Sequence, residues 1–566
     1  MAGIALACAL PAAASADRYV YVSNGFPAGS NDVSALHINF DGSLTPVSGS
    51  PYPTGGTVTE GLSITPDAQH VYVAEFGTNA IAGFNVRADG GLSAAPSSPY
   101  GPAASALGVI PVPDGQHVFV WNHNADTIGS WTVSGDGSLS QISGSPVPIP
   151  GGLHNPFAGS VTPDGRNVFV PNENSDPSGG ISTDKVTAYD IGSDGSLGAH
   201  QNIPSGNPSA GGSNPFGSGI TPDGQFFYTS NPEDGANGTL DGYSVSGAGG
   251  FLTELPGFPK SVAPGSHPLN IAISPDGQHL YVATRITSTV NAYDIGSDGS
   301  LSSIAGSPFA TGGTNGKALA FTPDGRRLYV SNNGSDDISG FNVASDGSLS
   351  LIAGSPWATG GTDPDLESIA ITPNQAPASR FAVHSSPNKK GAKFNGSSSS
   401  DTDGNVATYD WDFGDGFSEQ TSNPKTRHHY QHPGLYTVTL RATDNENCSV
   451  QRIFTGKATL CNGSPAAETS LNVHPRKLTI KYSHSKGRFK GRLKSDRKSC
   501  RRDKVKLVRS KHHHDKVVGR DHTNKKGAWR IALADAHGKY RAVVRQKVAA
   551  DGEPCLATRS KKRNVG

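Results

Sequence analysis

Apolar and polar residues alternate with a period of two over short runs along most of the chain, and long stripes at helical spacing are few. The runs "PLNIAIS" (268–274), "QHLYVAT" (278–284) and "TVNAYDIG" (289–296) show the pattern. Each is of strand length and is bounded by clusters of Gly, Pro, Asp and Ser, which predicts β-strands joined by tight turns. The pattern then repeats. A turn of the type Thr-Pro-Asp-Gly places its proline at 66, 113, 163, 222, 275 and 323, and "TPNQ" supplies a seventh at 373. Proline presets φ at such a reversal and glycine takes the positive φ that follows. A second turn, "SDGSL" or a variant, falls at Asp41-Gly42, Asp89-Gly90, Asp136-Gly137, Asp194-Gly195, Asp298-Gly299 and Asp346-Gly347, with Gly249-Gly250 in the fifth unit.

A repeat of about fifty residues made of four short strands is the signature of a β-propeller, and seven outer turns predict seven blades. The ends of the repeat region agree. It begins on a second-strand sequence, "RYVYVSN" (18–24), and finishes on an inner-strand sequence, "LESIAIT" (366–372). Pairing the two closes the ring and leaves no open sheet edge. The fold class expected is therefore all-β, a seven-bladed propeller over 17–374 followed by two small sandwiches at 375–474 and 475–566.

"YVSN", "YVAE", "YVAT" and "SPDGQHLYV" resemble the YVTN-type repeats of lactonase-like seven-bladed propellers, over about 18–374. The resemblance implies the architecture and raises lactone hydrolysis as an activity, although one propeller scaffold carries many functions. Hydrolysis needs a general base near neutrality and a donor for the developing oxyanion. His154 and His267 stand before inner strands, where this family places histidines, and Glu173 and Arg285 are the matching acid/base and oxyanion candidates. Ser266 and Thr284-Arg285 depart from the Arg and Glu that similar proteins often carry around the second histidine. Glu60, Glu75, Asn122, His123, Asn155, Asn172 and Glu367 are the other residues expected near the channel mouth, as ligand-binding candidates. No nucleophile elbow and no metal-ligand spacing occurs in the repeats, so neither a metal nor a cofactor is expected. The long connection 172–185 in the fourth blade is a candidate lid.

Past the repeats, "YDWDFGDG" (409–416) and "GLYTVTLRATD" (434–444) closely resemble the hallmark segments of a PKD domain, an immunoglobulin-like sandwich that serves as spacer or adhesive module in exported proteins. The formal net charge of zero hides a strong asymmetry: residues 475–566 hold 29 of the 47 Lys and Arg and 7 of the 47 Asp and Glu. Basic residues alternate there with apolar ones, predicting a sandwich with one Lys/Arg-coated face. Few aromatics interleave with the charge, so sequence-specific nucleic-acid binding is not expected, and an anionic cell-envelope polymer is the expected partner. The start, ending in Ala14-Ser15-Ala16, reads as a signal peptide over 1–16, and no other run is long enough to span a membrane. Cys448, Cys461, Cys500 and Cys555 are an even set for an exported protein, and the domain boundaries suggest Cys448–Cys461 and Cys500–Cys555. The function expected is a secreted or cell-surface monomer binding a small molecule, carbohydrate or protein at the propeller mouth. A secreted lactonase is the alternative, and a purely structural or adhesive protein the second.

Overall fold

The computed structural model describes residues 18–25, 29–173, 185–205, 215–232, 238–384, 392–474, 476–495, 497–510, 515–534, 536–545, 547–548 and 554–565. The proposed signal peptide and most of the 172–185 connection lie outside them. The chain divides into two compact units: residues 1–376 with 446–463, and residues 377–445 with 464–566.

In the first unit, seven antiparallel sheets correspond to the seven sequence repeats. The first sheet takes its inner strand, Pro364–Ile371, from the far end of the repeat region, pairing Val20 with Ile371 and Val22 with Ile369 against Arg18–Asn24. This is the closure the two end sequences called for. The repeated letters have definite jobs. The Thr65 and Thr322 hydroxyls donate to Asp67 and Asp324 of the same turn, whose carboxylates accept the backbone N–H two residues on. The second-strand tyrosine reaches the next blade: Tyr21, Tyr72, Tyr228, Tyr281 and Tyr329 donate to the carbonyls of Gly90, Gly137, Gly299, Gly347 and Gly42. Tyr329 to Gly42 joins the seventh blade to the first. Blades three and four carry Phe119 and Phe169 at that position and lack the bond.

The Cys448–Cys461 excursion is a hairpin, with strands Ile453–Phe454 and Thr459–Cys461, and it packs inside the propeller. At its base Cys461 bridges to Asn374, and Asn374 N–H donates to the Leu460 carbonyl. It therefore starts from the face that carries the Pro-Asp-Gly turns. Phe454 is buried among Val112, Phe119 and Val161 of blades three and four, and Leu460 among Leu319, Phe321 and Tyr281 of blades six and seven. At the tip, Gly456 O accepts from Val161 N–H, at the end of the fourth inner strand. Gly456 has φ +97°, and a Cβ there would lie 2.7 Å from Ser160 Oγ, so only glycine fits. A cavity of about 70 Å³ remains beside the hairpin, lined by inner-strand residues such as Leu62, Ile271 and Ile369. That is well below the roughly 150 Å³ that admits benzene in an apolar core.

The second unit holds a three-stranded and a four-stranded sheet around Trp411, Phe413 and Leu440, with Trp411 and Phe413 buried as the alternation predicts. Beyond it, strands built from "KVKLVRS" and "AWRIA" enclose Val505, Leu507, Trp529 and Tyr540, with Cys500–Cys555 closed at a Cα separation of 5.5 Å. No helix among the described residues is long and apolar enough to cross a membrane.

Candidate functional site: the propeller mouth

The inner strands begin at the face opposite the Pro-Asp-Gly turns, and six of the seven are led in, among the described residues, by a residue with positive φ. Val58, Ser105, Asn155, His267, Asn315 and Asp363 hold this position with φ between 49° and 59°. His267 and Asn155 thus occupy a turn position that every such blade needs. From His267 to the turn residue Ser274 is seven positions, as in the other blades, but from Asp363 to Thr372 is nine. The two extra residues form an irregularity in the strand pairing between Val22 and Asn24, with Glu367 at φ 53°. A left-handed non-glycine residue inside a strand costs conformational energy and persists where the surroundings fix it.

That irregularity carries Asp365 and Glu367, the core of a charged cluster. Lys317 Nζ lies 2.7 Å from Asp365 Oδ1, with both side chains almost fully buried. Lys457, from the hairpin tip, lies 2.9 Å from Glu367 Oε1 and 3.5 Å from Asn270 Oδ1. Glu60 is 3% exposed, and its Oε2 has no hydrogen-bond partner among the described residues. Burial, and then the Asp365 charge, push its carboxyl well above the usual range, with Lys317 pulling the other way. Facing this cluster is a run of rings. Phe76 and His123 have centroids 6.4 Å apart, His123 and Phe157 4.6 Å, and Phe157 and Phe216 stack at 4.1 Å. Burial pushes the His123 imidazole down, favouring its neutral form. A shallow recess of about 10 Å³, room for about one water, is lined by Leu107, Phe157, Phe216, Asn270, Leu366 and Glu367, between the rings and the charged cluster.

The four catalytic candidates fall into two pairs on different blades. His154 pairs in register with Glu173, whose side chain lies outside the described part. His154 Nδ1 is 2.7 Å from Asp126 Oδ2, and Asp126 Oδ1 accepts from Asn155 N–H. In blade six, Arg285 N–H donates to the His267 carbonyl, and the Arg285 side chain is exposed. Glu75, Asn122 and Asn172 share one repeat position at the end of the second strand, and all three are buried. Asn122 donates to Thr127 and Asn172 to Thr187 on the third strand, as Asn332 does to Asp337 and Ser339. The position clamps two strands within a blade. Glu75 fills it with a carboxyl that burial raises to about 7, against hydrogen bonds from Thr54 and Thr59. Sequence reasoning missed Lys317, Asp365, Asn270, Phe157 and Phe216. The signal was there: the lone Lys in "NGKALAF" and Asp365 of the paired acids in "DPDLES" share with Glu60 a strand position that is Leu107, Phe157, Phe216 and Leu269 in the other four blades. Lys457 gave no such signal, because it lies outside the repeats. Among the described residues, no three His, Cys, Asp or Glu side chains are placed to share a metal ion.

Comparison with known proteins agrees with the fold. A candidate 6-phosphogluconolactonase from Bacteroides fragilis NCTC 9343 superposes with a TM-score of 0.50 at 18% identity, over 64% of this chain and 99% of that one. The periplasmic gluconolactonase of Pseudomonas aeruginosa superposes at 0.49 and 19% identity, over 63% of this chain and 99% of that one. Collagenase ColA of Clostridium perfringens (strain 13 / Type A) is 46% identical over 52 residues, which are 9% of this chain and 4% of that protein. The PKD domain model matches residues 374–455, and the model described as "Lactonase, 7-bladed beta-propeller" matches 11–231 and 178–364. With blades, ring closure and family match in agreement, the chain belongs to the lactonase family of seven-bladed β-propellers and carries a PKD domain later in its sequence.

Proposed function

We propose that the protein works outside the cytoplasm and binds a small polyhydroxylated ligand, a sugar or sugar lactone, at the propeller mouth. The supporting observation is the two-sided mouth. The rings of Phe157 and Phe216 offer an apolar face, while Glu367 and Asn270, both held by Lys457, offer polar groups across the same recess. Sites for small ligands combine apolar walls with a few placed polar groups in this manner. The two disulfides support an oxidising compartment. The basic sandwich then anchors the protein to an anionic envelope polymer, with the PKD domain as spacer.

Titration calorimetry of the whole chain with D-glucose, D-galactose and D-glucono-1,5-lactone tests the reading. Binding of one of them is expected, weakened about tenfold by Phe157→Ala, the size of one lost ring contact. Absence of binding to all three would remove the sugar reading and leave a structural or adhesive role. A second reading is lactone hydrolysis, favoured by the His154–Asp126 couple, in which a carboxylate fixes one imidazole nitrogen and leaves the other to accept a proton. On that reading lactone turnover falls about 10²-fold or more in His154→Ala, the usual contribution of a general base. Turnover equal to the spontaneous rate in wild type rules it out.

A further inference from the structure

The hairpin does more than fill space. Its backbone stops at the base-side end of the inner strands, where Gly456 O and Thr455 O accept from Val161 and Ile220 N–H. From there the Lys457 side chain, which lines the cavity beside the hairpin, brings its ammonium to Glu367 and Asn270. These two residues also line the recess beside Phe157 and Phe216. An ammonium has three donors, and Glu367 and Asn270 occupy two.

We propose that Lys457, delivered by the hairpin from outside the propeller repeats, is a ligand-contacting residue, and that its pairing with Glu367 makes the mouth selective for uncharged sugars. The proposal rests on the mouth reading above and goes further, naming the ligand's charge and the residue that sets it. The charges support it. Lys317 matches Asp365 and Lys457 matches Glu367, two balanced pairs in a buried setting. The remaining acid, Glu60, is held toward its neutral form by burial and by Asp365. A phosphate or carboxylate on the ligand would have to break one of these pairs or sit against a carboxylate. A buried ion pair that loses its partner is strongly destabilised. A hydroxyl can donate to Glu367 and accept from Lys457 at once, leaving both pairs intact. The hairpin also narrows the channel beneath Lys457, where Phe454 and Leu460 pack on opposite sides and leave only the cavity of about 70 Å³.

The test is titration of the full-length protein and two single variants with three pyranose probes of different charge: D-glucose, D-glucosamine at pH 6 and D-glucuronate. Wild type is expected to bind glucose best. Lys457→Met leaves Glu367 without its cation, so the glucosamine-to-glucose preference should rise at least about tenfold, the scale of one unmatched charge in a partly buried site. Glu367→Gln leaves Lys457 without its anion, and the glucuronate-to-glucose preference should rise by a similar factor. The opposite directions separate a contact from a loss of folding, and if one variant does not fold the other still decides. If wild type binds glucose and neither preference moves, Lys457 has no part in the site while the mouth reading stands. If wild type binds none of the three probes, both readings fall.

Discussion

A carboxyl kept from water is a titration waiting to be measured, and Glu75 is the clearest case. Its folded-state value is about 7, against a usual value near 4.5, because burial outweighs the bonds from Thr54 and Thr59. A raised carboxyl stabilises the fold below the unfolded-state value, and that contribution is lost as pH rises through the folded-state value. Glu75→Gln should therefore match wild type near pH 4 and exceed it above pH 7. The gap should reach about 3 kcal/mol at most, from the two pKa values. Thermal melts of both proteins across pH 4–9 check it, and parallel curves would refute the assignment. The same residue shows what was hard to read from sequence. Glu75 looked like a mouth residue because it follows a second strand, but its repeat position belongs to an in-blade clamp filled elsewhere by Asn24, Asn172 and Asn332. Which way a side chain leaves a strand end depends on the register of the neighbouring strand, and a single sequence does not carry that register.

At the level of the blade, most of the design was written in the repeats. Period-two runs, two kinds of turn and the matched ends at 18–24 and 366–372 were enough for seven sheets and their closure. The tyrosine of "YV" was legible only as a buried aromatic. Its hydroxyl proves to be a latch to the glycine carbonyl one blade on, as in Tyr329 to Gly42. Tyr329→Phe keeps the ring and removes the bond, so it should cost about 1 kcal/mol. The same exchange is natural at Phe119 and Phe169, where denaturant melts of the reverse substitution to Tyr give the converse comparison. A Tyr329→Phe midpoint equal to wild type would show that the latch does not contribute to closure. The extra residues around Asp365 were hidden for the opposite reason. The count from lead-in to turn differs by only two, and the repeat tolerates larger changes in its loops.

For the molecule as a whole, charge is sorted by domain. The propeller and PKD regions carry the acidic excess and residues 475–566 the basic one. If the basic sandwich holds the protein to an anionic polymer, retention on isolated cell walls should decline steadily between 0.05 and 0.5 M salt, as the Debye length falls from roughly 14 to 4 Å. Retention unaffected by salt would point to a different attachment. The placement of residues 446–463 within the first unit was not legible, since nothing in "CSVQRIFTGKATLC" reports which cavity will receive it. That placement orders the making of the protein. The last strand of the seven sheets ends at Ile371, 77 residues before Cys448, so the ring can close before the segment that plugs it is made. Only when the later segment threads home does the tunnel become a cup, and the completed vessel is then proof that the downstream polypeptide has been made and has found its seat.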